Sequence, residues 1–436
     1  ACGACGKRNV MVQGAAAAAP VREGLALAAS AVQSASAVAA NAVERVGTGW
    51  SGVDRVLGGD RTPGLAVGSA VLVVGEPGAG KSTLLAQLAA RAGARALYAS
   101  GEESSAQVAD RMRRLGLELD VQLVGCRTLE ELAAAVEVAR PVLVVVDSVQ
   151  VFRCAGMDGA PGSVGQVREV TGRLVAWAKS SGVTLLLVGH VTKDGLVAGP
   201  KTLEHLVDTE LVFDGREGLR LVRCVKNRFG PTGELAVLEM TAEGLVEVDD
   251  LSARLLGDRP TGAPGSVVTA TLEGSHALCV EVQALVTPTA GSPQRAGVGV
   301  DTARVKLLAA VLERRGGLAL GASDVLVSVV GGVELAGDRG ADLAVCAAIV
   351  SSVRDVAVPE GTAFLGEVGL AGEVRGVGRV ELRAAELGRV GFGRLVGGKG
   401  LVRAKVEGAV PVADVEELAE VIGSGKRSRR STSRAA

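Results

Sequence analysis

Short apolar runs alternate with longer helix-like stretches from Arg45 to about Val248. The runs are rich in Val, Leu and Ala and are bounded by turn residues, a pattern typical of strands that are buried on both faces. The predicted strands are Ala70 to Val74, Ala94 to Ala99, Val142 to Val146, Val183 to Val188, Glu210 to Phe213 and Leu219 to Val225. Because helix-like stretches separate them, the pattern predicts an α/β fold with a mostly parallel sheet.

Composition changes along the chain and divides it into five segments. They are residues 1–10, 11–44, 45–250, 265–422 and 423–436. The first carries a Cys-x-x-Cys pair, and the second is an Ala-rich run that predicts a linker or a loose helix. A joint rich in Pro and Gly, Asp249 to Pro264, separates two predicted domains. The last segment is basic and lacks acids, so it predicts a disordered tail that either attracts phosphates or only aids solubility.

The overall composition favours a globular protein without a basic coat. Lys and Arg number 47 against 48 Asp and Glu, which excludes a globally basic surface but permits a local basic groove. Aromatic residues make up only 2% of the chain. That scarcity argues against binding nucleic acid through many stacked bases.

Two features of the sequence indicate the compartment. The seven cysteines are odd in number and mostly scattered through apolar stretches, so we expect a reducing, cytoplasmic environment. The Ala-rich stretch Leu25 to Val43 is interrupted by Gln33, Asn41 and serines, so we expect no membrane segment. The sequence begins with Ala1 rather than Met, and we expect its native start to lie upstream.

A candidate phosphate-binding loop follows the strand Ala70 to Val74 and precedes an apolar helix. Its sequence, GEPGAGKST, fits GxxxxGK[ST] in the strand–loop–helix context that this motif requires. The loop residues are Gly75, Glu76, Pro77, Gly78, Ala79, Gly80, Lys81, Ser82 and Thr83. Backbone N–H groups of such a loop close around phosphate oxygens at the positive end of a helix. We therefore expect ATP, with Lys81 at the β- and γ-phosphates and Ser82 as a ligand of Mg²⁺.

Polar residues at the ends of three further strands complete the predicted site. Asp147 follows a buried strand and suits a second, outer-sphere ligand of Mg²⁺. Glu102 and Glu103 follow another strand, where one carboxylate orients or deprotonates water, or where both merely favour a helix N-terminus; the sequence does not choose between them. His190 either senses the γ-phosphate or is an ordinary histidine at a sheet edge.

Two Gly-rich segments project from the same predicted sheet edge. They are Val151 to Gly165, which carries Arg153, and Lys193 to Lys201, which carries those two lysines. Open α/β sheets place ligands at this edge, so the three cations are candidate ligand contacts. Alternatively, these three residues are ordinary solvated charges of surface loops, and the sequence does not favour one interpretation over the other.

Eight short motifs in collinear order resemble those of the bacterial RadA/Sms family. They are GEPGAGKST (75–83), SGEES (100–104), APGSVGQVRE (160–169), GHVTKDG (189–195), AGPKTLEH (198–205), KNRFG (226–230), VVGGVEL (329–335) and GEVGLAGEVR (366–375). The resemblance extends over about residues 45–420. It implies a RecA-like ATPase related to the hexameric DnaB-type helicases. The implied function is recombinational DNA repair, in which a hexameric ring binds single-stranded and branched DNA, promotes ATP-driven branch migration and works beside a RecA-type recombinase filament.

The resemblance also assigns residues. Lys226 and Arg228 of KNRFG would reach the γ-phosphate of the neighbouring subunit and couple the nucleotide to DNA binding. A cation supplied in trans stabilises the charge of phosphoryl transfer only when the ring is correctly assembled. The Gly-rich segments would face DNA, with Arg153, Lys193 and Lys201 as phosphate contacts.

Members of this family usually begin with two Cys-x-x-Cys pairs that form a zinc site. This sequence has one pair, Cys2 and Cys5. A closed structural site needs four thiolates, so a zinc site on Cys2 and Cys5 alone is not favoured. The single pair is left with weak metal binding or a bridge between subunits as its alternatives. Whether a native N-terminus upstream of Ala1 supplies a second Cys-x-x-Cys pair is left open.

Residues 265–422 resemble the proteolytic domain of Lon, an α+β fold. The expected nucleophile position, Asp338 to Asp342, has no serine, and the expected lysine position reads Val380 to Leu382. A serine activated by lysine is required for this chemistry, so we expect an inactive, ring-forming platform. Four basic residues of this unit either contact duplex DNA or form the solvated face of a helix, the latter being favoured. They are Arg304, Lys306, Arg314 and Arg315.

Two alternative functions compete with a DNA-dependent ATPase. An ATP-dependent Lon-like protease is opposed by the missing serine and lysine. A KaiC-like signalling ATPase should repeat its ATPase domain, but the sequence carries one P-loop motif.

Replacement of the loop lysine tests the phosphate site. Lys81→Ala should abolish ATP turnover because the charge on the phosphates is then not neutralised. Release of inorganic phosphate, compared with that of the unaltered chain, measures the effect. Wild-type turnover by the variant would contradict the assignment.

Overall fold

The computed structural model describes residues 43–190, 203–216, 218–335 and 337–423, apart from the side chains of His190 and Arg216. Cys2, Cys5, Lys193 and Lys201 lie outside these ranges. All elements described below belong to residues 45–436, the second of the two units into which the chain divides.

Two strands precede the main sheet and pair with each other in antiparallel fashion. They are β1 (Arg45–Val46) and β2 (Leu65–Ala66). The next strands along the chain are β3 (Ala70–Gly75), β4 (Ala96–Ser100), β5 (Gln122–Gly125), β6 (Leu143–Asp147), β7 (Thr184–His190), β8 (Thr209–Arg216), β9 (Leu219–Asn227), β10 (Leu235–Thr241) and β11 (Gly244–Glu247). Within the described residues these nine form one sheet in the order β11-β10-β9-β8-β3-β7-β6-β4-β5. Six neighbouring strands of this sheet run parallel to one another, namely β8, β3, β7, β6, β4 and β5. The other three, β9, β10 and β11, pair in antiparallel fashion and extend the sheet beyond β8.

Five helices cover the two faces of this sheet in the described part of the chain. They are α1 (Ser51–Gly58), α2 (Lys81–Ala92), α3 (Ser105–Arg114), α4 (Leu129–Ala139) and α5 (Val164–Ser181). Alternate residues of each strand point to opposite faces. In β3, Val71 and Val73 therefore pack with α1, α2 and α3, whereas Leu72 and Val74 pack with α4 and α5. This arrangement confirms the predicted α/β fold with a mostly parallel sheet.

The sequence pattern missed three strands of the main sheet and placed several strand ends differently; β8, for example, extends to Arg216 rather than Phe213. β5, β10 and β11 were not predicted, and β4 begins at Ala96 rather than Ala94 because Gly93–Arg95 form a 3₁₀ turn. β5 and β11 lie at the edges of the sheet, and β5 is only half-buried. A strand that is exposed on one side lacks the continuous apolar run by which the inner strands were predicted.

A second sheet follows helix α6 (Leu251–Leu256). Its strands are β12 (Ser266–Glu273), β13 (His276–Pro288), β14 (Arg295–Val298), β15 (Ser323–Val329), β16 (Thr362–Leu365), β19 (Arg394–Gly397) and β20 (Ala409–Pro411), and β17 (Glu367–Val368) and β18 (Val374–Arg375) form a separate hairpin. The order in the described residues is β14-β15-β13-β12-β16-β19-β20, with parallel and antiparallel pairs mixed.

The helices of this second part are α7 (Thr302–Arg315), α8 (Asp342–Arg354), α9 (Val380–Arg389), α10 (Gly400–Arg403) and α11 (Val415–Gly423). Helix α8 is buried from Asp342 to Ser351 and packs on the sheet beside α7 and α11. The predicted domain limits and the resemblance of this part to Lon stay predictions. None of the helices in the described ranges is long and apolar enough to cross a membrane.

Two ion pairs contain the carboxylates that begin and end the segment in which the resemblance to Lon would place the nucleophile. Arg383, 3% exposed, donates from Nη1 and Nη2 to the two oxygens of Asp338, at 2.7 and 3.0 Å. Arg304 donates to both oxygens of Asp342 and to the carbonyl of Val368. Arg304 is therefore neither a DNA contact on a free surface nor part of a solvated helix face.

The three other basic residues of α7 are exposed. They are Lys306, Arg314 and Arg315. Both interpretations, contact with duplex DNA and a solvated face, stay open for these three.

Removing the arginine of the first pair should destabilise the protein strongly. Burial raises the pKa of Asp338, but the hydrogen bonds and the charge of Arg383 hold that pKa below its ordinary value. Arg383→Ala leaves a buried carboxylate without its counter-ion, which costs about 3–5 kcal/mol. The pair stabilises the fold above the ordinary carboxyl pKa of about 4, so the difference between wild type and variant should shrink as the pH falls below that value.

Urea unfolding at pH 7 and at pH 3, below the ordinary carboxyl pKa, measures the effect. The control is Arg113→Ala, which breaks an exposed ion pair with Asp110 and should cost less than about 1 kcal/mol. An Arg383→Ala variant as stable as this control would contradict the prediction.

Candidate nucleotide site

The loop between β3 and α2 is shaped by glycine. A Cβ atom on Gly75 would lie 2.1 Å from the carbonyl oxygen of Phe213, so only glycine fits there. Gly78 and Gly80 have φ angles of 77° and 106°, a region that glycine adopts without strain. Glu76, Pro77 and Gly78 are exposed, so the loop presents its backbone at the surface in front of the helix N-terminus.

The loop lysine lies beneath this backbone. Lys81 is 4% exposed, and its Nζ donates to the carbonyl oxygens of Gly75 and Glu76, both at 2.8 Å. Burial lowers the pKa of Lys81, whereas the charges of Asp147 and Glu102 raise it. The ammonium group therefore lies within electrostatic reach of both carboxylates.

One arginine that sequence reasoning missed also contacts the loop. Arg220, on β9, donates from Nε to the carbonyl oxygen of Ala79 at 2.5 Å. No motif includes Arg220, because this contact depends on how the antiparallel edge folds back beside β3.

Strands β4 and β6 bring two of the predicted carboxylates together. Ser100 and Asp147 are paired in register, and the following residues converge beyond the strand ends. Ser148, joined to Asp147 by a cis peptide bond, donates from Oγ to Glu102 Oε1 at 2.6 Å. Tyr98 donates from its hydroxyl to Asp147 Oδ2 at 2.5 Å.

Glu103 points to a different partner from Glu102. Its carboxylate pairs with Arg111 of α3 at 2.5 Å, and Arg111 also donates to the hydroxyl of Tyr98 at 3.2 Å. Burial and the neighbouring charge of Asp147 hold the pKa of Tyr98 well above its ordinary value. The structure thus separates two glutamates that the sequence could not distinguish.

Two further residues predicted at this edge, His190 and Arg153, lie in the described ranges. The backbone of His190 pairs with Gly75 in the sheet, which places this residue beside the loop. Arg153 is exposed and forms a backbone bridge with Thr128, beyond the end of β5. Lys193 and Lys201 lie outside the described residues, so the assignment of the two Gly-rich segments to DNA stays a prediction.

Lys226 and Arg228 lie at the opposite end of β3 from the loop. Lys226 donates to the carbonyl oxygens of Glu204 and Val207, the latter at 2.9 Å. Arg228 donates to Asp208 Oδ1 at 3.0 Å. Asp208 is buried, and its backbone N–H and its Oδ2 both bond to Ala70, the first residue of β3.

These contacts keep both cations away from the loop of their own chain. Gly75 lies five residues beyond Ala70, which is about 16 Å at the usual rise of a parallel strand. Burial and the charge of Arg228 lower the pKa of Lys226, and nearby carboxylates oppose this. Neither cation touches the loop in the described structure.

The residues present fit a magnesium nucleotide. The loop offers backbone N–H groups where a side chain would clash, and the hydroxyl of Ser82 and the carboxylate of Asp147 are the oxygen ligands that Mg²⁺ prefers. For zinc, no group of three or more metal-binding side chains occurs among the described residues. Five cysteines fall in those ranges, and all five are buried and free.

A glycine loop between a buried parallel strand and a helix, a buried lysine beneath it and carboxylates on the neighbouring strands define a P-loop ATPase. A family profile described as an AAA domain matches residues 60–196. The DNA repair protein RadA of Bacillus subtilis is 43% identical over 407 residues, 91% of this chain and 88% of that protein. The chain therefore belongs to the RadA family, as its motifs predicted.

Two further relatives are similarly close. The DNA repair protein RadA of Pseudomonas aeruginosa is 44% identical over 91% of this chain and 88% of its own length, and that of Escherichia coli is 42% identical over 87% and 82%. Among solved structures, a KaiC-like protein from Pyrococcus horikoshii matches 47% of this chain with 99% of its own. Its TM-score of 0.40 and 22% identity are too low to bear on fold or function.

Proposed function

We propose that the chain is a DNA-dependent ATPase that drives branch migration of recombination intermediates in DNA repair. The observation that carries this proposal is the convergence of Lys81, Asp147 and Glu102 at one sheet edge, in a chain whose relatives are named DNA repair proteins. The first two groups suit a bound magnesium nucleotide, and the third suits its hydrolysis.

Each residue at the loop has a separate task in this proposal. The loop N–H groups and Lys81 bind the β- and γ-phosphates, Ser82 is a ligand of the metal ion, and Asp147 is its outer-sphere ligand. When bound, Mg²⁺ neutralises charge that develops on the phosphate oxygens. Thr83 and the first turn of α2 add the positive end of the helix dipole.

Glu102 is the residue that orients the attacking water. Its carboxylate lies close enough to influence the pKa of Lys81, and the hydroxyl of Ser148 fixes one of its oxygens. Glu103 is instead paired with Arg111 on α3. Of the two glutamates, Glu102 is therefore the better candidate, because its charge raises the pKa of Lys81 and one of its oxygens accepts from Ser148.

Lys226 and Arg228 act in trans on the nucleotide of a neighbouring subunit. About 16 Å of strand separates Ala70, to which Arg228 is linked through Asp208, from the loop of the same chain. A second subunit can present the same cations to that loop from outside. This geometry supports a head-to-tail ring, which by family resemblance has six subunits.

DNA binding is assigned to the edge that carries the loop. Arg153, Lys193 and Lys201 would contact backbone phosphates of single-stranded or branched DNA, which is an electrostatic and salt-sensitive interaction. A RecA-type filament as partner and a cytoplasmic location complete the proposal, and both rest on the family.

No observation favours either of the two alternative functions. For a Lon-like protease, the expected nucleophile segment has no serine, and its Asp338 is bound to Arg383. For a KaiC-like signalling ATPase, the sequence lacks a second P-loop motif. Digestion of casein in the presence of ATP would expose the first alternative directly.

The proposal is tested by measuring ATP hydrolysis with and without single-stranded DNA at 50 and 200 mM salt. We expect stimulation by DNA that weakens at the higher concentration, because phosphate contacts release counter-ions. Lys81→Ala is the negative control. Hydrolysis that is indifferent to DNA at both concentrations would overturn the DNA-dependent motor while keeping the ATPase.

A mixing experiment tests the action of Arg228 in trans. Arg228→Ala should still bind nucleotide but lose DNA-stimulated hydrolysis, and Lys81→Ala should be inactive. Mixed in equal amounts, the two should recover activity, because roughly a quarter of the interfaces then join an intact loop to an intact arginine if subunits exchange at random.

In the matched control, Arg228→Ala is mixed with the double variant Lys81→Ala/Arg228→Ala instead of with Lys81→Ala. The double variant supplies neither the loop lysine nor the arginine. Stimulation of Arg228→Ala alone at the wild-type level would remove its role. Equal activity in both mixtures would show that Arg228 does not act across the interface.

A further inference from the structure

The chain contains a single tyrosine, and it lies in the nucleotide site. Tyr98 is the central residue of β4, where its neighbours are Leu97 and Ala99, and it is 1% exposed. Its ring packs among apolar residues of the core shared by α2 and α3. An apolar ring would fill this space equally well, so the hydroxyl calls for a separate explanation.

Both hydrogen-bonding capacities of that hydroxyl are used by charged groups. It donates to Asp147 Oδ2 at 2.5 Å and accepts from Arg111 Nη2 at 3.2 Å. Arg111 in turn pairs with Glu103 Oε2 at 2.5 Å. Four side chains thus form one continuous path from the surface glutamate to the carboxylate of the magnesium site.

We propose that Tyr98 is a positioning residue for Asp147, and that Glu103, acting through Arg111, holds the phenol in the orientation that does this. The proposal rests on the function proposed above, in which Asp147 is a ligand of Mg²⁺. It gives the two successive glutamates different tasks: Glu102 serves the attacking water, and Glu103 serves the metal ligand.

The physical reason lies in the freedom of a carboxylate. Asp147 ends β6, and its side chain can rotate about two bonds unless one oxygen is fixed. The hydrogen bond from Tyr98 fixes Oδ2, and this holds the whole carboxylate of Asp147 in one orientation. Groups that orient a metal ligand in this way typically change metal affinity by about 10–100-fold when they are removed.

The placement of α3 supports this division. The helix begins with a capping box in which Ser104 and Gln107 satisfy each other's backbone N–H groups. That start fixes the direction of the helix immediately after Glu103. Arg111 is thereby brought back over the ring of Tyr98, with its Cζ atom 5.9 Å from the ring centre.

The first test is the dependence of ATP hydrolysis on Mg²⁺ concentration in the full chain. For Tyr98→Phe we expect the half-saturating Mg²⁺ concentration to rise about tenfold, with kcat at saturating Mg²⁺ within about twofold of wild type. Binding of a fluorescent nucleotide without metal should not change. A merely structural role would lower kcat or stability and leave the dependence on Mg²⁺ as it was.

Glu103→Gln provides a second, independent variant, since this carboxylate is 37% exposed and its replacement spares the core. It should shift the half-saturating Mg²⁺ concentration in the same direction, and the double variant with Tyr98→Phe should shift it no further than Tyr98→Phe alone. The matched control is Asp110→Asn, which breaks exposed ion pairs on the same helix and should leave the dependence unchanged.

The single tyrosine also permits a direct signal. Incorporation of 3-fluorotyrosine labels one site, and its ¹⁹F resonance in the Glu102→Gln variant with ATP bound should shift when Mg²⁺ is added. The shift should be lost in Glu103→Gln/Glu102→Gln. No response to Mg²⁺ in the labelled Glu102→Gln chain would overturn the positioning role.

The outcomes separate this inference from the function on which it rests. A wild-type chain without ATPase activity would remove the proposed function. A wild-type chain that hydrolyses ATP, together with Tyr98→Phe and Glu103→Gln variants whose half-saturating Mg²⁺ concentration is unchanged, would overturn the role of Tyr98 and leave the ATPase intact.

Discussion

The parallel pairing of β3 with β7 on one side and β8 on the other decides where each group of the site lies. All six residues of β3 are buried, so their backbone groups find partners only inside the sheet, and a shifted register would leave some unpaired. The pairing places Gly75 at one edge, beside His190, and Ala70 at the other, beside Asp208. The phosphate-binding loop therefore lies at one end of β3. The two cations that are proposed to act on the nucleotide of the neighbouring subunit lie at the other end.

Asp208 shows how a buried charge is tolerated at the second of these ends. Burial alone would raise its pKa, but hydrogen bonds from Lys179, the Ala70 amide and Arg228 together lower it. Arg228 and Lys179 are both half-exposed, but Lys179 belongs to α5 and Ala70 belongs to β3. Because those two contacts do not depend on Arg228, the carboxylate stays paired whichever partner the arginine has.

Local patterns predicted the parts of the site that are contiguous in sequence. The loop from Gly75 to Thr83 and the strand before Asp147 follow from short motifs and apolar runs. The contacts that the sequence did not reveal join distant residues: Tyr98 reaches Asp147 across 49 positions, and Arg220 reaches Ala79 across 141. Such contacts depend on strand order. The only local signal was Tyr98 itself, a polar group in the middle of an apolar strand.

The second sheet contains charges that are fixed rather than chemically active. Arg383 and Arg304 each bind a carboxylate through two nitrogens, and guanidinium groups do not give up a proton in proteins. A protease of the Lon type requires a basic group that can lose its proton beside a nucleophile. Arg383 and Arg304 cannot supply that group, and Asp338 to Asp342 includes no serine. The charges around Asp338 therefore serve the stability of this part, and the hydrolytic chemistry proposed for the chain falls to the edge of the first sheet.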